Sequence, residues 1–265
     1  MWKRHFGMRY TSCTTDEEKN MRIDGRTNDE IRKMKITRGF TKYSTGSVLM
    51  EMGETKVICT ATIEDKVPGF LKGTGKGWVT AEYSMIPSST QTRKSRDISR
   101  LRVDGRSSEI QRLVGRALRS VMDLDVLGER TIWIDCDVIQ ADGGTRCASI
   151  TGAFVALVDA INAIDRETPF ETYPLKGLVS AVSVGIRDSE VILDLCYEED
   201  SNADVDMNII MNDHDEYVEI QGTGEERPFT AGEMAELISK ASKGNKDIQR
   251  QVMALMGDDL KRVVE

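Results

Sequence analysis

Hydrophobic and polar residues alternate most clearly along residues 131–139, where every second side chain is apolar. This two-residue period predicts a strand with one buried face. Gly143 and Gly144 end the pattern, and residues 147–164 then form a run that is apolar nearly all round, which is typical of a buried helix. We therefore expect a strand, a glycine turn and a buried helix in direct succession.

Similar but shorter patterns cover the rest of the chain. Strands are predicted over residues 35–38, 47–52, 55–64, 79–86, 179–185, 191–197, 207–211 and 217–221. A helical stripe follows Ser107 or Ser108, either of which can cap it, and further helices are predicted after Thr230 and over residues 246–255. Because hairpins are followed by helices in both halves, the pattern indicates an internally duplicated α/β unit.

The length of 265 residues allows one large domain or two small ones with a sizeable core. Residues 1–20 show no periodicity, so we expect a mobile N-terminal extension followed by a single domain over residues 21–265. Hydrophobic residues make up 39% and charged residues 30%, without a long apolar run for a membrane span or a secretory signal. We expect no membrane partner.

The cysteines and histidines argue against several kinds of site. Cys59, Cys136 and Cys196 lie in apolar strand-like runs without metal-ligand spacing, which favours buried free thiols in a reducing cytoplasm. There are only two histidines, His5 and His214, and they are far apart in the sequence, which argues against a histidine-based zinc site or a catalytic triad.

Charge is segregated along the chain, so the formal net charge of −8 is misleading as an average. Residues 91–119 hold eight arginines and one lysine, whereas residues 188–226 hold many acids and no lysine or arginine. The preference for arginine favours phosphate recognition, because a guanidinium pairs bidentately with phosphate. The alternative is a solvated charge run that the acidic half compensates.

The glycine turn (residues 143–146) is a candidate anion site. A helix that starts directly after a turn presents free backbone N–H groups and a partial positive charge, and Arg146 adds a full one. The alternative is an ordinary tight turn with a surface arginine.

An acidic cluster follows in the second half, and it consists of Glu198, Glu199, Asp200, Asp204 and Asp206. Arginines for phosphates together with clustered carboxylates for a divalent cation are the equipment of phosphoryl or nucleotidyl transfer, which needs no covalent residue. The alternative is a solvated strand end.

Five longer motifs occur in order and are more specific than a glycine turn alone. They are residues 22–26 (RIDGR), 109–118 (EIQRLVGRAL), 135–152 (DCDVIQADGGTRCASITG), 199–208 (EDSNADVDMN) and 219–229 (EIQGTGEERPF). With these motifs the chain resembles the ribonuclease PH family, phosphate-dependent exoribonucleases that trim tRNA 3′ ends. The resemblance implies an α/β (α+β) fold built from a duplicated unit of the ribosomal protein S5 domain 2-like type.

The resemblance also implies roles for individual residues. The implied phosphate ligands are Arg106, Gly144, Thr145 and Arg146. Asp200 and Asp206 are implied to hold Mg²⁺ or Mn²⁺ or to act as the general acid. The implied RNA-binding residues are Arg93, Arg96, Arg100 and Arg102. The chain departs from the family pattern at residues 100–104, where small Gly- and Lys-containing residues are expected, and we expect this change to affect RNA affinity rather than the fold.

The implied function is phosphorolysis of RNA. Inorganic phosphate, the co-substrate, attacks the last 3′–5′ phosphodiester of a tRNA precursor, with rRNA as a further substrate, and releases a nucleoside diphosphate. The implied assembly is a cytoplasmic homo-hexamer, a trimer of dimers. The alternative is a catalytically inactive RNA-binding ring subunit of an exosome-like assembly, but such chains usually lack the arginine of the turn or the paired aspartates. Polynucleotide phosphorylase is expected to need two such units.

Overall fold

The computed structural model describes residues 22–96 and 104–264. The predicted extension over residues 1–20 and two of the predicted RNA-binding residues, Arg100 and Arg102, lie outside these described ranges. The described residues form two α/β halves, each with a sheet and a long helix packed on it. The predicted α/β class is confirmed.

The first half contains a five-stranded sheet. Its strands are β1 (Met34–Arg38), β2 (Gly46–Met52), β3 (Thr55–Glu64), β4 (Trp78–Met85) and β5 (Thr131–Gln140). They lie in the order β1-β2-β3-β5-β4, with β4 parallel to β5 and the other pairs antiparallel. The helices of this half are α1 (Gly105–Ser120), α2 (Leu124–Leu127) and α3 (Thr145–Glu167), and a short 3-10 helix spans Gly69–Leu71.

The second half contains a four-stranded antiparallel sheet. Its strands are β6 (Val179–Arg187), β7 (Glu190–Leu193), β8 (Val205–Asn212) and β9 (Tyr217–Gly224), in the order β7-β6-β8-β9. The helices are α4 (Tyr197–Asp200), α5 (Ala231–Met256) and α6 (Lys261–Val264), with a 3-10 helix over Gly257–Leu260. Helix α5 packs on β6, β7 and β8.

Helix α3 packs against both sheets, on β2 and β3 of the first and on β6 of the second. It approaches the first sheet closely, because a Cβ at Gly152 would come within 2.8 Å of Cys59 Sγ. By length and composition alone α3 could cross a membrane, but 78% of its most apolar window is buried inside the protein, as the core helix of a globular fold requires. Its apolar faces are therefore covered by the two sheets.

The predicted strands are confirmed with small shifts at their ends, and the cysteines Cys59, Cys136 and Cys196 are buried free thiols as expected. Three local predictions are wrong. Helix α1 begins at Gly105, so neither Ser107 nor Ser108 caps it. Residue 197 starts a helical turn rather than ending a strand. The two predicted C-terminal helices are one continuous helix, which Thr230 caps as predicted by accepting a hydrogen bond from the backbone N–H of Glu233 (3.2 Å).

Candidate active site

A cleft of about 420 Å³, here called the main cleft, opens between the two halves. It brings together all six residues that the sequence assigns to phosphate and acid roles, namely Arg106, Gly144, Thr145, Arg146, Asp200 and Asp206. The first four come from the first half of the fold and the two aspartates from the second, so the cleft exists only when the halves pack together.

The glycine turn lies between β5 and α3 and its backbone requires glycine. Gly143 and Gly144 both have positive φ angles, of 74° and 61°. A Cβ at Gly143 would come within 2.5 Å of the carbonyl oxygen of Leu195, so this turn also touches the backbone that leads into α4. The first N–H groups of α3 have no partner within the helix and carry its partial positive charge. The turn is thus suited to hold an anion at the floor of the main cleft.

Arg106 and Thr145 each lie in the first turn of a helix that reaches the main cleft. The sequence places Arg106 at the end of a loop, but it is the second residue of α1. Thr145 is the first residue of α3, and its hydroxyl is hydrogen-bonded to the buried hydroxyl of Tyr83 (2.9 Å). Two helix N-termini therefore contribute to one site, which strengthens its preference for negative charge.

Arg146 is oriented by side chains that the sequence does not single out. Its Nη1 donates to Oε1 of Gln221 on β9 (3.0 Å), and it lies 3.8 Å from Glu109. Gln221 in turn donates to Glu219 (3.0 Å), which accepts from Nε of Arg116 (2.5 Å). Because Gln221 is neutral, it fixes the guanidinium of Arg146 without cancelling its charge. The motif over residues 219–229 contains Glu219 and Gln221, and that over residues 109–118 contains Glu109 and Arg116, but sequence alone gives them no role.

The two aspartates lie where their carboxyl groups interact. Asp200 ends α4, and Asp206 is the second residue of β8, at the start of a strand as the sequence predicts. Burial, together with the charge of Asp200, raises the pKa of Asp206 to about 6. Burial also raises the pKa of Asp200. With a pKa of about 6, Asp206 can donate a proton near neutral pH far more readily than an ordinary aspartate.

Not every member of the acidic cluster belongs to this pair. Glu199 is 1% exposed and is paired with Arg22. Although burial opposes ionisation, the hydrogen bond from Arg22 lowers the pKa of Glu199 to about 2. Glu199 therefore fixes α4 in place through this ion pair.

The carboxylates suit a magnesium ion that also binds a substrate. Within residues 22–96 and 104–264, no group of three or more His, Cys, Asp or Glu side chains has the arrangement of a complete metal site. Mg²⁺, however, is commonly held by one or two carboxylates plus phosphate oxygens of the substrate. Oδ1 of Asp206 is buried and has no hydrogen-bond partner, and this unpaired oxygen beside Asp200 is the kind of ligand that such a cation needs.

A second cleft of about 470 Å³, here called the side cleft, adjoins the first and shares Arg106, Asp200 and the glycine turn with it. Arg93 lines this side cleft, so it lies next to the predicted phosphate ligands Arg106 and Thr145. Tyr197 also lines it and is half exposed. Arg96 is exposed and lines neither cleft.

Comparisons with known proteins agree with this architecture. Residues 30–161 match domain 1 of the 3′ exoribonuclease family (RNase PH), and residues 177–244 match domain 2 of the same family. These two segments carry the glycine turn and the aspartate pair, respectively.

Solved structures show the same fold at low sequence identity. The Archaeoglobus fulgidus exosome with RNA bound to the active site has a chain that is 24% identical, with a TM-score of 0.76, covering 88% of this chain and 93% of that one. Rice (Oryza sativa) Rrp46 is 21% identical, with a TM-score of 0.68, and the match covers 86% of this chain and 97% of Rrp46. An archaeal exosome core chain is 22% identical, with a TM-score of 0.70, covering 88% and 91%.

Proposed function

The chain belongs to the 3′ exoribonuclease (RNase PH) family, whose two domains it matches in order, and on that basis we propose that it is a phosphorolytic 3′→5′ exoribonuclease. The observation that carries the proposal is the composition of the main cleft. There an anion-binding turn and two arginines from one half face a pair of coupled carboxyl groups from the other. An anionic nucleophile and an acid for the leaving oxygen are what phosphorolysis requires.

The proposed reaction transfers one nucleotide from RNA to inorganic phosphate. Phosphate bound by Arg106, Arg146 and the glycine turn attacks the phosphorus of the last 3′–5′ phosphodiester. The bond between that phosphorus and the 3′ oxygen of the penultimate nucleotide breaks, and a nucleoside diphosphate leaves. Asp206 gives its proton to the departing 3′ oxygen, so the shortened RNA ends in a 3′ hydroxyl. Phosphate brings its own nucleophilic oxygen, and no histidine base is required.

We propose Mg²⁺ or Mn²⁺ as the metal, held by Asp200 and Asp206. When bound, such an ion neutralises negative charge on the phosphate groups of the two substrates. The remaining work belongs to the chain itself: the glycine turn and the arginines orient phosphate, and each aspartate serves either as a metal ligand or as the proton donor, since a carboxylate that binds the ion has given up its proton.

We propose that the substrates are tRNA precursors and also rRNA. We further propose that the protein acts in the cytoplasm as a homo-hexamer made of three dimers. Two of the similar solved structures are exosome chains, and one of those assemblies has RNA bound to its active site, which supports RNA as the partner class and an assembly of several chains.

A catalytically inactive RNA-binding ring subunit of an exosome-like assembly is the second candidate, because two of the similar solved structures are exosome chains. Arg106, Arg146 and Asp206 all line the main cleft, which favours the enzyme. Incubating the protein with RNA and Mg²⁺, with and without phosphate, separates the two. Phosphate-dependent shortening of the RNA supports the enzyme, and binding without shortening supports the inactive subunit.

Arg96→Ala is expected to weaken RNA binding and to lower the slope of log K against log salt by about 1, because one phosphate contact is lost. Whole tRNA should be affected more than a short oligonucleotide, since Arg96 lies outside both clefts. Filter binding across a salt series measures the slope. Arg93→Ala is the comparison, and because Arg93 lines the side cleft it should impair both RNAs alike. Equal loss on both RNAs for Arg96→Ala would place Arg96 in the active site.

The affinity for Mg²⁺ should depend on pH if Asp206 is a ligand. The pKa of Asp206 is raised to about 6, so a proton competes with the ion below that pH, and the apparent affinity should fall about tenfold for each further unit of pH. Calorimetric titration of the protein with MgCl₂ between pH 5 and pH 8 measures this dependence. The same titration of Asp206→Asn should show little change over this range. An affinity of the unmodified protein that does not vary with pH would remove Asp206 from the ligand set.

A further inference from the structure

Behind the glycine turn lies a buried ion pair that the proposed reaction does not use. Arg32 precedes β1 in the first half, and Asp194 follows β7 in the second. The two side chains are only 3% and 1% exposed. Nε and Nη2 of Arg32 donate to the two carboxylate oxygens of Asp194 at 3.0 and 2.7 Å, a forked pairing that only arginine can make.

The same guanidinium also holds the glycine turn. Nη1 of Arg32 donates to the carbonyl oxygen of Asp142 and, at 3.4 Å, to that of Gly143. The hydroxyl of Thr55, which is fully buried, donates to the Gly143 carbonyl at 2.6 Å and accepts from the N–H of Asp142 at 3.0 Å. In a trans peptide the C=O points opposite to the following N–H. Fixing these two carbonyls therefore points the N–H groups of Gly143 and Gly144 away from Arg32.

The acid side of the site is tied to the same network. The backbone N–H of Arg32 donates to Asp194 (2.7 Å), whose own N–H donates to the carbonyl of Ser183 (2.7 Å). Three residues after Asp194, the N–H of Tyr197 donates to Oδ1 of Asp142 (3.3 Å). Tyr197 begins the helical turn that ends at Asp200. One buried network thus sets the relative position of the glycine turn and the aspartate-bearing helix α4.

We propose that Arg32 is a positioning residue for the anionic co-substrate: held by Asp194, and together with Thr55, it fixes the glycine turn in the conformation that binds phosphate. The proposal rests on the proposed function in naming phosphate as the ligand. Arg32 itself is buried behind the turn and touches no substrate. Its effect is exerted through the orientation of backbone N–H groups, so it acts on phosphate affinity far more than on RNA affinity.

Arg32→Lys tests this role because it keeps the charge and removes the fork. A lysine ammonium cannot reach Asp194 and both carbonyls together. We expect the dissociation constant for inorganic phosphate, measured by calorimetry on the full chain, to rise about tenfold, with RNA affinity within about twofold of the unmodified protein. In steady-state assays the KM for phosphate should rise by the same factor while the KM for RNA stays unchanged.

Two further variants separate positioning from general destabilisation. Thr55→Val is nearly the same size, leaves the ion pair intact and removes only the hydrogen bonds to the turn, so it should raise the phosphate dissociation constant by about threefold to fivefold. If Arg32→Lys does not fold, Thr55→Val still tests whether the hydrogen bonds behind the turn set the affinity for phosphate. Arg38→Lys is the matched control, because Arg38 forms a similar fork with Asp159 and Asp259 away from both clefts. It should lower the melting temperature and leave phosphate binding unchanged.

The proposal is overturned if Thr55→Val and folded Arg32→Lys bind phosphate as the unmodified protein does. It is equally overturned if Arg38→Lys weakens phosphate binding as much as Arg32→Lys. If phosphate binding weakens as expected but the unmodified protein releases no nucleoside diphosphate from RNA, the proposed function fails and the role of Arg32 stands. If the unmodified protein binds no phosphate at millimolar concentrations, both fail.

Discussion

Replacing Asp206 with Asn is expected to lower kcat for phosphorolysis by about 100-fold or more while leaving RNA affinity largely unchanged. The substitution keeps the shape of the side chain but removes both the transferable proton and the negative charge. In the proposed mechanism Asp206 acts mainly in the transition state, where the 3′ oxygen departs, so the loss falls on the rate constant rather than on binding. Single-turnover assays at saturating RNA, phosphate and Mg²⁺ measure it.

Asp204→Asn is the matched control for this variant. The Asp204 carboxylate pairs with Arg227 (3.4 Å), and its side chain is a third exposed. Asp204 lines neither cleft, and we expect turnover within about twofold of the unmodified protein. Near-normal turnover of Asp206→Asn at saturating Mg²⁺ would mean that the acid lies elsewhere, and Asp200 would then be the first candidate.

Asp206→Asn also has an expected effect on stability, which can be measured independently of activity. The pKa of Asp206 lies above its ordinary value of 3.8, so the carboxylate destabilises the fold progressively as the pH rises from about 4 to about 6, and fully above that. Without Mg²⁺, Asp206→Asn should therefore raise the free energy of unfolding near neutral pH, by at most about 3 kcal/mol at 1.36 kcal/mol per unit of pKa. Below about pH 4 the gain should vanish. Thermal melts in EDTA across this range measure it.

Arg146→Gln is the second substitution with a large expected effect. Arg146 supplies a full positive charge in the main cleft, where its side chain is only 17% exposed and Gln221 fixes its direction. A charge-assisted bidentate pair with phosphate is among the stronger hydrogen-bonded interactions. Its loss should raise the KM for phosphate by about 100-fold, with a smaller change in the KM for RNA, as phosphate titrations at saturating RNA measure.

Arg116→Gln is the control for Arg146→Gln. Arg116 belongs to the same chain of hydrogen bonds, through Glu219 and Gln221, but it is half exposed and lines neither cleft. It should change the KM for phosphate by no more than about twofold. A phosphate KM that is equally affected by both substitutions would show that the charge of the helix surface matters, rather than a direct contact from Arg146.

The part of the site that local patterns predict is the glycine turn. The alternation of apolar and polar residues stops before Gly143, and an apolar helix follows the turn. Both features depend only on neighbours in the sequence, so β5, the turn and α3 are found as expected. Within the acidic cluster, the family resemblance rather than a local pattern assigns the metal-binding or acid role to Asp200 and Asp206. The ion pair with Arg22, which lies 177 residues away, is what separates Glu199 from these two aspartates.

The features of the site that the sequence does not predict depend on contacts between segments that are far apart in the chain. Arg32 and Asp194 are 162 residues apart, and nothing local indicates that they pair or that they hold the glycine turn. Gln221 likewise gains its role from packing beside Arg146. Helix α5 is continuous through Gly244, where the sequence predicts two separate helices. A Cβ at Gly244 would come within 2.7 Å of Leu193, so the close approach of the helix to β7 requires glycine there.

The identity of the nucleotide released from a defined tRNA with a short 3′ tail tests the central claim most directly. Phosphorolysis predicts nucleoside diphosphates, released only when phosphate is present and carrying label from radioactive phosphate. Nucleoside monophosphates, or release that does not depend on phosphate, would contradict it, because water rather than phosphate would then be the nucleophile in the main cleft.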